Sequence, residues 1–178
     1  PMTEFARMRR TDHSMRPPMP AATLAFKSPN ACNLCHKKGK EDAAWADAKV
    51  REWHKKDYQA STLAMGRLIE AARREDWSRV PEMLAYMGRK DRDEVFTSSL
   101  VRLLIPCPEE EAMPVMVRLL KNDPSPLVRS SAARYLGNRL SREALASLAT
   151  ACADPVRLVR VRAGAALSAV PADALPEA

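Results

Sequence analysis

The chain has 178 residues, 46% of them hydrophobic but only 5% aromatic, so its core is built from Leu, Val, Ala and Met. Five glycines, abundant alanine and scarce β-branched runs favour helix over strand, and no apolar run approaches the ~20 residues of a membrane helix. The net charge of +7 is uneven: twelve Lys and Arg face seven Asp and Glu in residues 1–60 (+5), and seventeen face fifteen in the remainder (+2).

In chain order, Pro1 opens a polar stretch without the apolar core of a signal peptide. A processed or truncated start is expected. Pro17, Pro18, Pro20 and Pro29 interrupt helix, since proline lacks the N–H and restricts the residue before it. Residues 1–30 therefore read as an irregular arm that needs a surface to lie on. The segment Cys32-Asn33-Leu34-Cys35-His36 follows, with Asn30 placed to cap its turn.

Residues 41–54 predict a helix with Ala43, Ala46, Val50 and Trp53 on one face and Trp45 to its side. Glu41 and Asp42 fall in its first turn, where the helix dipole favours acids. A second helix over 60–74 carries Met65, Leu68, Ile69 and Ala72 on one stripe.

From about residue 77 the chain repeats. Residues 91–104 match 123–136 at an offset of 32, and a third copy follows at 31 with Asp154-Pro155, Val159-Arg160, Ala163 and Leu167. Each copy is preceded by an amphipathic segment, at about 77–88, 109–121 and 141–153. Helix, short Asp-containing turn and second helix at this period predict a helical-hairpin solenoid, whose stacked neighbours share one core. The "DP…VR…A" pattern resembles HEAT repeats, at a shorter period than usual. The helices over 41–74 are expected to cap its N-terminal end. Domain limits of 1–58 and 59–178 follow.

A C-x-x-C-H turn puts two thiols on one side, where they can form thioethers to haem vinyl groups, and presents the adjacent histidine to the iron. Cys32 and Cys35 are the expected tethers and His36 the proximal ligand of one covalent haem c. Two other chemistries use C-x-x-C. A zinc site needs a second ligand pair, and only Cys107, Cys152, His13 and His54 remain. A redox dithiol opens a helix after a strand, and no strand is evident. Cys107 and Cys152 fall at opposite ends of helices of about 12 residues, roughly 18 Å, beyond the ~7 Å of a disulfide, so both are expected as buried or semi-buried free thiols.

The succession Asp12-His13-Ser14-Met15-Arg16-Pro17-Pro18, then Ser28-Pro29-Asn30-Ala31-Cys32 through His36, then Trp45 and Trp53, then the repeats, resembles multihaem c-type cytochromes carrying HEAT and tetratricopeptide repeats. The match runs from about residue 10 to 170. Those relatives carry several haem motifs and this chain one, which makes it the last piece of a larger cytochrome or a single-haem relative. The resemblance implies that His13, in the proline-rich arm, is the second iron ligand, to this haem or a neighbouring one; His54, Met15 and Met19 are the alternatives.

The expectation is an all-α protein: an irregular haem-binding N-terminal segment followed by a short HEAT-like helical-hairpin solenoid. It acts as an extracytoplasmic, periplasmic electron carrier rather than an enzyme, with the repeats as docking scaffold. Its partners are a redox protein or other haem subunits, in an oligomer or a larger cytochrome complex, without nucleic acid and without a transmembrane segment. A haem enzyme or sensor with an open sixth site and a scaffold with structural zinc are the other function classes. Arg102, Arg129, Arg134, Arg160 and Arg162 are interspersed with acids and read as a solvated or inter-repeat ion-pairing face.

Overall fold

The computed structural model describes residues 4–5, 8–9, 17–36, 39–54 and 56–171. The chain divides into two compact units between Arg67 and Leu68, inside one helix.

The N-terminal unit is more ordered than its prolines suggest. Strands β1 (Glu4–Phe5) and β2 (Met8–Arg9) pair antiparallel, with Glu4 opposite Arg9 and Phe5 opposite Met8. Helix α1 (Pro20–Phe26) corrects the expectation of an irregular segment throughout 1–30. Pro20 occupies the first helical position, where a missing N–H costs nothing and its fixed φ suits the helix. Lys27, left-handed at φ 58°, ends the helix with its N–H on the Thr23 carbonyl at 3.0 Å.

A single helical turn follows, α2 (Cys32–Cys35), and then α3 (Ala43–Trp53). Asp42 is the cap of α3 rather than part of its first turn, and accepts from the Trp45 N–H at 2.9 Å. Such a cap contributes about 1 kcal/mol. Helices α1 and α3 pack together, and Ala46 and Val50 are buried as expected. Trp53 is not: it is 67% exposed. It is the last residue of α3, and the chain leaves extended at His54, so no further helical turn flanks its ring.

Gln59 is the polar centre of this unit. Its Oε1 accepts from the Ala21 N–H at 3.1 Å and its Nε2 donates to Asp47 at 2.9 Å. Asp47 and Asp57 both bind Arg51, at 2.8 Å each. The buried amide thus ties α1, α3 and the 57–59 turn together. Helix α4 (Ala60–Arg73) passes close to α1 at Gly66, where a Cβ would lie 2.7 Å from the Phe26 ring.

The C-terminal unit starts in the last turns of α4. Glu75, left-handed at φ 57°, closes that helix: the Asp76 N–H reaches the Ala71 carbonyl at 2.9 Å and the Glu75 N–H that of Ala72 at 3.3 Å. After a 3-10 turn (Trp77–Arg79) come three hairpins: α5 (Val80–Met87) with α6 (Glu94–Leu103), α7 (Ala112–Asn122) with α8 (Pro126–Gly137), and α9 (Arg142–Ala151) with α10 (Arg157–Leu167). The all-α solenoid expected from the period is what the chain forms. The second helices α6, α8 and α10 lie side by side with α8 central, and α7 neighbours α9.

The core mixes large and small side chains. Met83, Met116 and Leu148 come from first helices, and Ala132, Ala133 and Ala163 from second ones, all fully buried. Small residues let the second helices approach: a Cβ on Gly137 would meet the Ala166 methyl at 2.6 Å. Cys107 is buried in the α6–α7 connection, whereas Cys152 is exposed, because it caps the C-terminus of α9 beyond the packed stripe.

The turns inside the hairpins carry a ladder of arginine–aspartate contacts. Asp123 accepts from the Ser125 N–H at 3.0 Å, and Asp154 from the Val156 N–H at 2.8 Å. In the first copy this task moves two residues on, to Asp93, which accepts from the N–H groups of Val95 and Phe96. Arg129 donates to the Asp123 carbonyl of its own turn at 2.8 Å and grips Asp154 of the next copy through Nε and Nη2, at 2.8 and 3.0 Å. Arg160 repeats the first half of this pattern, on the Asp154 and Pro155 carbonyls. Where the first copy has Thr97 in place of the arginine, Arg92 of the turn pairs with Asp123 instead. The inter-repeat ion pairing expected of the arginines therefore holds for Arg129.

Candidate haem-attachment site

The turn Cys32–Cys35 follows Pro29 and is held by two amides. Buried Asn30 caps it as expected, its Oδ1 accepting from the Asn33 N–H at 3.1 Å. Its Nδ2 donates to Thr23 Oγ1 at 2.7 Å and to Asn33 Oδ1 at 2.9 Å, which anchors the turn on α1. Asn33, at a variable position of the motif, donates from Nδ2 to the carbonyls of His36 and Glu41, each at 3.0 Å. That bridge spans the connection between α2 and α3.

Cys32 and Cys35 stand three residues apart on this turn and so share a face. Cys32 is half-buried and Cys35 exposed. His36 ends the turn, its N–H on the Cys32 carbonyl at 3.0 Å. The His36 ring lies against Trp45 of α3, centroids 4.8 Å apart, and its Nδ1 is 3.0 Å from the Glu41 carboxylate. With Nδ1–H donated to Glu41, the lone pair is on Nε2, the arrangement of a metal-binding histidine oriented by a carboxylate. Two thiols on one face, an oriented imidazole and the exposed Leu34 fit the chemistry of a covalently tethered haem.

Glu41 and Asn33 were not distinguishable as site residues in the sequence. Glu41 read as a helix-dipole acid. Tyr58 is a further addition: its hydroxyl donates to the Pro18 carbonyl. Burial holds its pKa above the ordinary phenol value, with Cys32, Asp47 and Asp57 nearby adding to the shift.

The structure brings Cys32, Cys35 and His36 together. His54 sits at the far end of α3, nine residues beyond Trp45 and about 13 Å along the axis, edge-on to Tyr58 at 4.8 Å. Met19 precedes α1 and is half-buried. His13 and Met15 lie outside the described residues. Among the described residues no three His, Cys, Asp or Glu side chains converge as an ion site, and no helix is long and apolar enough to cross a membrane.

The family model for HEAT repeats matches residues 80–168, the stretch that begins at the first residue of α5 and closes after α10. No curated protein and no solved structure matches the chain.

Proposed function

The chain belongs to the HEAT-repeat family, and on that premise we propose that it is a c-type cytochrome with one covalent haem, acting in extracytoplasmic, periplasmic electron transfer with its repeats as docking scaffold. HEAT repeats commonly mediate protein interactions, through the extended surfaces of their stacked helices. The observation that carries the cytochrome reading is the geometry of His36: its Nδ1 is 3.0 Å from the Glu41 carboxylate, and it directly follows a turn with two thiols on a common face.

In this reading Cys32 and Cys35 would hold the haem through thioethers, and His36 Nε2 would ligate its iron. Glu41 fixes the tautomer and raises the basicity of the ring, and Trp45 limits its rotation. Asn33 holds the backbone from which His36 projects. His13 would supply the second ligand, on the resemblance to multihaem cytochromes with HEAT and tetratricopeptide repeats. Haem c, when bound, supplies a one-electron iron couple whose potential follows its axial ligands and surroundings.

The test is to export the full chain in a host that matures c-type cytochromes, then record a pyridine haemochrome spectrum and an intact mass. A thioether-type spectrum with the mass of polypeptide plus one haem is expected, and both are lost in Cys32→Ala/Cys35→Ala. An unmodified polypeptide mass under the same conditions would end the cytochrome reading.

A further inference from the structure

The C-terminal unit has a groove of about 460 Å³ between the end of α4, α6 and the start of the α6–α7 connection, reaching Arg134 of α8. Its walls are apolar, from Ile69, Phe96, Leu103 and Ile105. Three guanidinium groups, Arg73, Arg102 and Arg134, line it, and no carboxylate does. These arginines differ from the two that bind the turns of the second and third hairpins. Arg129 is spent on Asp154, and Arg160 on the carbonyls of its own turn. Arg73, Arg102 and Arg134 are exposed, with no side-chain partner among the described residues. Arg102 and Arg134 are also equivalent positions of successive copies, 32 residues apart, so they project from neighbouring helices toward one space.

An unpartnered triple positive charge over an apolar floor selects its ligand by charge and by shape. A bare anion leaves the apolar walls wet, and an apolar segment leaves the cations unmatched. We propose that this groove docks an acidic segment of a partner protein, one or two large apolar side chains on Ile69, Phe96 and Leu103 with flanking carboxylates on Arg73, Arg102 and Arg134. The volume suits a few side chains rather than a globular surface. Guanidinium forks pair with carboxylates in a defined bidentate geometry, which gives the docking a register as well as affinity. The proposal is independent of the haem assignment, since every residue it uses lies in the C-terminal unit.

The test uses the full chain and a peptide labelled at its N-terminus, fluorescein-Gly-Gly-Glu-Asp-Phe-Leu-Glu-Asp-amide, read by polarisation. A second peptide has serine in place of the phenylalanine and leucine. Binding of the first is expected to exceed that of the second by roughly tenfold or more, and to weaken as salt screens the pairs. Arg102→Gln/Arg134→Gln is expected to weaken it by roughly tenfold, about threefold for each exposed pair lost, and Arg102→Glu/Arg134→Glu further. Both side-chain positions altered are exposed, and far-ultraviolet circular dichroism checks that the variants keep the fold. Equal binding of the two peptides, binding unchanged in both variants, no binding of the first peptide, or tighter binding of a single-stranded oligonucleotide would each overturn the proposal.

Discussion

Replacing Arg129 with methionine removes the contact that joins the second and third repeats at their turns. Arg129 and Asp154 are 12% and 10% exposed, and the guanidinium meets the carboxylate through two nitrogens. In the variant Asp154 keeps the Val156 N–H but loses its counter-ion, and the Asp123 and Pro124 carbonyls lose a donor. Breaking a buried pair from one side costs about 3–5 kcal/mol, and the retained N–H and residual hydration place this case at the lower end, about 3 kcal/mol. Asp154→Asn keeps a side-chain acceptor for Val156 and removes only the charge. In a double-mutant cycle the two substitutions should couple by more than about 1 kcal/mol, measured by urea unfolding followed at 222 nm. The pH dependence gives a second reading. The Arg129 hydrogen bond lowers the Asp154 pKa below the ordinary carboxylate value. The stability it contributes is therefore present above the unfolded value of about 4 and is lost as pH falls through the lower folded one. Arg129→Met should flatten that acid limb. Additive effects in the cycle, with an unchanged acid limb, would refute the role given to the pair.

The Tyr135 hydroxyl is fully buried with no hydrogen-bond partner among the described residues, so Tyr135→Phe should raise stability by about 1 kcal/mol; a fall in the urea midpoint would mean that the hydroxyl is satisfied in solution. Gly137→Ala forces a methyl against Ala166 and should cost about 1–2 kcal/mol net of the gain in helix propensity, visible as a lower thermal midpoint; stabilisation would show that α8 and α10 do not pack this closely. In the haem-loaded protein Glu41→Gln weakens the acceptor on His36 Nδ1 and should raise the midpoint potential on the order of 30 mV, about half a tenfold step for a one-electron couple, because a less basic imidazole favours the ferric state less. An unchanged potential in a redox titration would remove Glu41 from that role. His13→Ala should turn a six-coordinate low-spin absorption spectrum into a high-spin or mixed one, and an unaltered spectrum would exclude His13 as the second ligand.

The solenoid was legible because its signal is periodic. Asp-Pro turns, Val-Arg pairs and alanine-rich second helices recur at a fixed spacing, and each recurrence reflects the same packing need. The cysteines and histidine of the turn stood out in the sequence because the chemistry proposed for them demands fixed separations. The supporting residues were not. Asn30 could be guessed as a cap from its place after Pro29. Asn33 and Glu41 act across a loop whose path depends on how α2 meets α3, and no periodicity encodes that. Helix α1 was missed because four prolines were weighed as breakers, although Pro20 stands at the one helical position that tolerates it. Trp53 fitted the apolar stripe of α3, but periodicity does not say where along a helix its cover stops. The arginines looked uniform in sequence, and their division into paired and unpaired sets depends on which turn lies beneath each.

The amide of Asn33 has a consequence for how the His36 ring is aimed. By joining the carbonyls on either side of the loop, it fixes that backbone through the protein's own hydrogen bonds. Ordering a residue costs about 1–2 kcal/mol of backbone entropy, and here that cost is met during folding, before any ligation of the kind proposed. A short turn of this kind, left loose, would have to be frozen by whatever binds to it. Preorganised as it is, the position between the two cysteines is no longer a neutral spacer. Its identity governs how much of any ligand's binding free energy goes into the bond itself.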